Sequence, residues 1–226
     1  SALQDVNFEA FPRYWVNRKE ATRRIGSSTS WLLVVRNAFS ALADARSLTS
    51  TIIPQSGVGN SLTILESSGG VVGATILTSI LNSFMLDYVV REKSTGSNLN
   101  FYVLRQLPMP DRASFTKSAA WTKGASMTDW FVQRSLELTF TSNSMLAYAT
   151  ELGFQGRPYV YSQSRRREIR AELDAAVFML FGMHRRSVEH VMDAFPVLRR
   201  RETKAFGEYV SKKLVLSKYD VFSQVE

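Results

Sequence analysis

Cysteine is absent from this chain of 226 residues. Its absence excludes a disulfide framework, a thiol nucleophile and the zinc sites that are built from cysteine ligands. A chain without disulfides fits a reducing compartment, and we expect a cytoplasmic location. The only histidines, His184 and His190, are spaced so that they point to different sides of one helix, and we expect no metal site.

Short motifs that mark several enzyme classes are also missing. There is no Gly-x-Ser-x-Gly elbow of a hydrolase and no Gly-Lys-Ser/Thr of a phosphate loop. Gly57 and Gly59 are not followed by the third glycine that a dinucleotide-binding loop places at the start of its helix. We therefore expect no catalytic residues and no cofactor in this chain itself.

Residues 71–90 are the one apolar stretch as long as a membrane span of about 20 residues. Asn82, Ser83 and Asp87 interrupt it, and an ionisable side chain inside a bilayer is costly. The stretch therefore predicts a buried helix, and no membrane is expected among the partners. The chain has no signal-peptide pattern, and because it begins at Ser1 without a Met we expect either a processed chain or a piece of a longer protein.

Hydrophobic residues make up 45% of the chain, enough to build a core. Short apolar and β-branched runs predict strands over residues 31–35, 47–53, 62–65 and 101–107. The glycine-bearing loop at 55–61 predicts a hairpin-like unit between the second and third of these strands.

Apolar residues at helical spacing predict one long helix over 75–91 and mainly helices after residue 110. The later helices are predicted over 127–148, with a break near residue 141, and over 165–181. A further short helix is predicted to end near Pro196, and another spans 205–215. Together the patterns predict an α+β fold. Its parts are a lead-in segment at 1–30, an α/β domain at 31–150 and a C-terminal helical segment at 151–226. Tyr14 and Trp15 are expected to anchor the lead-in.

Two polar loops, residues 55–61 and 93–100, carry side chains of the kinds that contact DNA. Asparagine and glutamine pair with adenine edges, arginine and lysine pair with guanine, and hydroxyls or backbone amides hold phosphates. Each loop also has a structural interpretation, as a hairpin turn and as a helix end, and Arg36 and Arg46 either hold phosphates or pair with Asp44 or Glu66. The net charge of +8 permits binding to a polyanion. The candidate DNA-binding residues are Arg36, Arg46, Gln55, Ser56, Gly57, Gly59, Asn60, Lys93, Ser97, Asn98 and Asn100.

The order of several stretches resembles one protein family. The run "VVRNAFSALADARSLTSTIIPQSGVGNSLTIL", the apolar helix after it and "GSNLNFYVLRQLPMP" are similar to the target-recognition region of restriction–modification adenine DNA methyltransferases. These are the fused type II-G enzymes and the related bacterial phage-defence enzymes. "NFEAFPRYWV" resembles their lead-in, and "RREIRAELDAAVFMLFGMHRRSVEHVMDAFPVLRRRETKAFGEYVSKKLVL" resembles their tail. The places of the family pattern in the first part are filled by Arg36, Arg46, Ser47, Pro54, Gly57, Gly59, Asn60, Asn98, Asn100, Pro108 and Pro110.

The resemblance implies double-stranded DNA as the partner and a methyltransferase domain upstream in the same parent polypeptide. The domain is expected upstream because the Asn-Pro-Pro-Tyr adenine pocket and the glycine-rich cofactor motif of the family are missing here. By the resemblance, it would use S-adenosylmethionine. Ala45 departs from the pattern, where the family often has Glu, and so does His184, where a Ser or Thr cap is usual. Asn98 and Asn100 recur in the family, which suits a phosphate-contacting or loop-shaping role better than base reading. Whether the parent also cuts DNA stays open.

The sequence therefore predicts a non-catalytic fragment that recognises a DNA target. The alternative is a helical protein-interaction module that docks a partner subunit without direct DNA contact. In that case the basic charge of Arg185, Arg186 and residues 199–201 is incidental.

Overall fold

The chain folds into a three-stranded antiparallel sheet packed among helices. The structure is a computed structural model that describes residues 4–9, 13–26, 29–40, 43–94 and 96–225. The strands are β1 (Trp31–Arg36), β2 (Ser50–Pro54) and β3 (Leu62–Leu65). The helices are α1 (Arg18–Ile25), α2 (Gly70–Leu81), α3 (Phe84–Lys93), α4 (Phe101–Leu104), α5 (Met127–Thr139), α6 (Leu146–Glu151), α7 (Gln163–Leu180), α8 (Arg185–Asp193), α9 (Pro196–Phe206) and α10 (Val210–Gln224). The α+β class predicted from the sequence is confirmed.

The sheet has the order β2-β1-β3, so the predicted hairpin-like unit is wrong. Residues 31–35 of β1 are buried throughout, and a strand that is apolar on both faces gains most from the central place. Because β2 and β3 both pair antiparallel to β1, they run parallel to each other. The connection over residues 55–61 therefore has to return along the length of the sheet instead of making a tight turn.

The predicted helix over 75–91 is two helices, α2 and α3, bent by 65°. Polar side chains cause the break: the Ser83 hydroxyl accepts a hydrogen bond from the Leu86 amide and caps α3. Asn82 turns outward to β2, where its side chain bonds both the amide and the carbonyl of Ser50 at 2.9 and 2.8 Å. Within the described residues, no single helix has the length and apolarity to cross a membrane, and the bent pair passes that test only on length and composition.

Residues 101–107 do not form the predicted strand, because they begin with the short helix α4. The Asn100 carbonyl accepts hydrogen bonds from the amides of Val103 and Leu104. The buried residues are Leu99, Val103 and Leu107, a spacing of four that suits a helical turn better than the alternation of a strand.

Helix α10 packs along α7, whose prediction over 165–181 is confirmed, and α8 and α9 pack on α10. Their buried residues form one core with residues near the sheet: Val35 of β1 and Phe222 of α10 belong to the same cluster. The predicted helix over 205–215 is wrong in its bounds. Gly207, with φ of +79°, ends α9, and α10 begins three residues later.

The lead-in segment is held by hydrogen bonds to Asn143 and by packing of Val16. The Asn143 amide donates to the Val6 carbonyl at 2.8 Å. Tyr14 and Trp15 are 79% and 76% exposed, so the prediction that they anchor the segment is wrong. Val16 instead lies against the loop at 55–61, since a Cβ added to Gly57 would come within 2.4 Å of its Cγ1.

Candidate nucleic-acid interface

Asn37, the residue directly after β1, joins the two polar loops that the sequence singled out. Its amide donates to the Ser61 carbonyl at 2.8 Å, and its carbonyl accepts from the Leu99 amide at 2.7 Å. Its side-chain amide donates to the Asn60 carbonyl at 3.2 Å. Loops that are far apart in the chain therefore lie side by side at the end of the sheet where β1 stops.

We call this surface the Asn37 platform, and we define it as residues 37–40, 59–61 and 96–100. Its backbone is fixed at further points: the Phe39 amide donates to the Ser97 carbonyl at 2.9 Å, and Ala38 pairs with Asn98 as an isolated β-bridge. The side chains of Phe39 and Leu99 are buried beneath it. Main-chain hydrogen bonds, the side chains of Asn37 and Ser40, and apolar packing thus hold the platform.

Three asparagine side chains stand free on the platform. Asn60, Asn98 and Asn100 are all exposed, and within the part of the chain that the structure describes their side-chain amides make no hydrogen bond. Asn100 precedes α4, yet its side chain does not cap that helix. Each amide therefore keeps its two donors and its acceptor available to another molecule. Any loop-shaping by Asn98 and Asn100 is done by their backbone groups.

Other predicted residues lie along the returning connection, away from the platform. The Gln55 amide bonds the Ser30 carbonyl at 2.9 Å, and the Ser56 hydroxyl donates to the Pro54 carbonyl at 3.2 Å. Both are next to the end of β2, which pairs with the start of β1. The loop at 55–61 therefore divides, and only its last residues, including Gly59 and Asn60, reach the platform.

Two predicted residues of the second loop have different surroundings. Lys93, at the end of α3, is exposed and bonds the Gln106 side chain at 3.3 Å. Ser97 is exposed and takes part in the platform through its carbonyl. Thr95, between them, lies outside the described residues.

Arg36 makes intramolecular contacts, as one of its two predicted alternatives required. Its guanidinium donates to the Asp44 carboxylate at 3.2 Å and to the Arg46 carbonyl at 2.8 Å. The pairing with Asp44 is confirmed. About a third of the Arg36 side chain stays exposed, and a phosphate contact by this residue stays a prediction.

Arg46 belongs to a buried network that is centred on Asp87, a residue the sequence analysis did not propose as a site. The fully buried Asp87 carboxylate accepts from Arg46 Nε at 2.6 Å, from Arg91 Nε at 3.2 Å and from the Ser47 amide at 3.1 Å. The Arg46 guanidinium also lies over the Phe84 ring, 4.1 Å from its centroid. The signal for this network is the acidic residue inside the apolar pattern of α3, which can only be buried if it is paired.

Asp174, on α7, is a second buried carboxyl beside the Asp87 network. It accepts a hydrogen bond from the Phe84 amide at 2.7 Å. Burial raises the pKa of Asp174 to about 6, because removal from water disfavours the ionised form, while the positive charge of Arg46 acts in the opposite direction. This group links α7 to the start of α3.

No family model, curated protein or solved structure matches the chain. The likeness to methyltransferase target-recognition regions thus rests on the quoted stretches alone.

Proposed function

We propose that this chain is the DNA target-recognition part of a longer restriction–modification adenine methyltransferase and has no catalytic residues of its own. The observation that carries the proposal is the set of three exposed asparagine side chains on the Asn37 platform, which make no hydrogen bond within the described part of the chain. An asparagine amide offers the donor and acceptor pair that matches an adenine edge in the major groove, and it also bonds phosphate oxygens.

The hydrogen-bonded backbone of the platform supports this proposal. Backbone hydrogen bonds through Asn37 and Phe39 fix the loops before any ligand arrives. A preformed loop loses less conformational entropy on binding than a mobile one, so more of the contact energy contributes to affinity. Lys93 and Arg105 flank the platform in the chain, are exposed and supply positive charge for the phosphate backbone.

The remaining parts of the proposal rest on the family resemblance. The parent polypeptide would carry a methyltransferase domain that binds S-adenosylmethionine and flips the target adenine out of the duplex. The present chain would set which sequence is presented to that domain.

The alternative of a helical protein-interaction module has less support. The apolar residues of α8, namely Val188, Val191 and Met192, are buried against the rest of the chain and are not presented to a partner. Helix α8 thus uses its apolar surface internally, whereas the side chains of Asn60, Asn98 and Asn100 make no hydrogen bond among the described residues.

A titration of the chain with a pool of random labelled duplexes, at low and at moderate salt, tests the proposal. The logarithm of the binding constant should fall linearly with the logarithm of the salt concentration, with a slope of about −0.9 per phosphate contacted, because each contact releases counterions. A pool of single strands of the same length is the control and should bind more weakly. Absence of binding to every duplex at low salt would overturn the proposal for this chain.

A further inference from the structure

A cleft of about 350 Å³ lies between the start of β2 and the helices α2, α5 and α7. Three arginines line it: Arg46 from the segment before β2, and Arg166 and Arg170 from one side of α7. No residue of the Asn37 platform is part of its lining. Its volume is within the range of small-ligand sites, and it is a separate surface from the one proposed to read DNA.

The charges around the cleft do not balance. Its lining has one acidic residue, Asp174, against the three arginines. Behind it, Asp87 pairs with both Arg46 and Arg91. Four arginines therefore face two aspartates, and about two positive charges remain uncompensated when both carboxyls are ionised.

The arginines of α7 are held close to other cations. Arg166 is positioned by a hydrogen bond of 2.6 Å to the Leu138 carbonyl and lies over the Tyr161 ring. Partial burial lowers the pKa of Arg166, and the charge of Arg170 lowers it further. Partial burial likewise lowers the pKa of Arg170, with the charge of Arg46 as the next cause. These cations repel one another, and an anion between them would relieve the repulsion.

Hydrogen-bonding groups for such an anion are unused. Among the described residues, the Arg170 guanidinium makes no hydrogen bond or ion pair. The hydroxyls of Thr49 and Thr139, which also line the cleft, have no side-chain hydrogen bond within the same part of the chain. Guanidinium groups and hydroxyls together suit a tetrahedral oxyanion, which accepts several hydrogen bonds and pairs bidentately with arginine.

We propose that this cleft binds a phosphoryl group, held by Arg166 and Arg170 and by the hydroxyls of Thr49 and Thr139. The same chemistry has two sources, a free phosphate ester and a backbone phosphate of DNA. In the second case the inference rests on the proposed function. In the first case it is independent of it.

The first arm of the test follows the arginine Nε–H and backbone amide signals by NMR while inorganic phosphate is added at constant ionic strength. The wild-type chain should give saturable shifts around the cleft. Arg170→Gln should weaken this binding about tenfold, since it removes a charge-assisted contact. Arg186→Gln is the matched control, because Arg186 is exposed on α8, makes no hydrogen bond or ion pair with the residues described, and lies outside the cleft lining.

The second arm compares the same variants in duplex titrations. If the phosphoryl group is a DNA phosphate, Arg170→Gln should reduce the slope of the log binding constant against log salt by about one, and Arg186→Gln should change that slope less. Phosphate binding without any effect on duplex binding supports the cleft and assigns it to a free phosphate ester. If wild type binds duplex but Arg170→Gln changes neither arm, the cleft proposal is overturned and the DNA proposal stands. If wild type binds phosphate in the cleft but no duplex, the DNA proposal is overturned and the cleft proposal stands.

Discussion

The Asn37 platform and the Asp87 network lie in the same part of the chain but use their polar residues in opposite ways. On the platform, main-chain groups and the Asn37 side chain make the hydrogen bonds, and among the described residues the side chains of Asn60, Asn98 and Asn100 make none. In the network, side chains make the bonds and are used up by them: Asp87 is fully buried, and it holds Arg46 in place. The polar residues of this part of the chain are thus divided into those that maintain the fold and those that are available to a partner.

The largest effect that this comparison predicts is on Asp87→Ala. The substitution leaves Arg46 and Arg91 without their carboxylate, and breaking a buried ion pair typically costs about 3–5 kcal/mol of unfolding free energy. Urea denaturation followed by circular dichroism measures it. Glu92→Ala, an exposed neighbour on α3, is the control and should stay within about 0.5 kcal/mol of wild type. A loss below about 1 kcal/mol for Asp87→Ala would break the comparison.

The pH dependence of stability tests the buried carboxyl next to the network. The pKa of Asp174 is raised from 3.8 to about 6 in the folded chain. The folded state therefore binds more protons than the unfolded state between these values, and this group's contribution to stability falls as pH rises through the window. Asp174→Asn removes that fall. Between pH 3.5 and pH 7, the unfolding free energy of the variant should therefore rise by about 3 kcal/mol relative to that of wild type.

Urea titrations of both proteins at several pH values give this difference directly. A difference in unfolding free energy that does not change between pH 3.5 and pH 7 would show that Asp174 has an ordinary pKa.

A smaller effect is expected at Asn82, which links the network region to the sheet. Its side chain bonds both backbone groups of Ser50 on the outer edge of β2. Asn82→Ala leaves these groups unpaired and should lower the unfolding free energy by about 1–3 kcal/mol. Asn98→Ala is the matched control and should change stability by less than about 0.5 kcal/mol. Equal losses for the two variants would contradict the division between fold and platform.

The sequence predicted the parts of the fold that local patterns determine. The apolar run of β1 and the helical spacing of α7 indicated elements that the structure confirms. Strand order was not predictable in this way, because a strand pattern gives no information about which neighbour it pairs with. The break between α2 and α3 was also missed, since Asn82 and Ser83 acquire their roles only from contacts with β2 and the next helix turn.

The candidate site was predicted in composition but not in arrangement. The two polar loops were recognised from their residue types, whereas Asn37, which joins them, is a single asparagine after a strand. Arg166 and Arg170 were absent from the predicted residues because they lie on a helix whose apolar face dominated its interpretation. Segments that are distant in the chain meet only through the tertiary fold, so no local sequence pattern predicts that they lie together.

The central claim is that the free asparagines of the platform contact DNA. The most direct test compares wild type with the triple variant Asn60→Ala, Asn98→Ala and Asn100→Ala in duplex titrations at fixed salt. Gln133→Ala is the control, since Gln133 is an exposed amide on α5 with no hydrogen bond from its side chain among the described residues. The account predicts that the triple variant loses at least about tenfold in duplex affinity, while its unfolding midpoint and the affinity of the control are unchanged. Unchanged duplex affinity in a folded triple variant would contradict it.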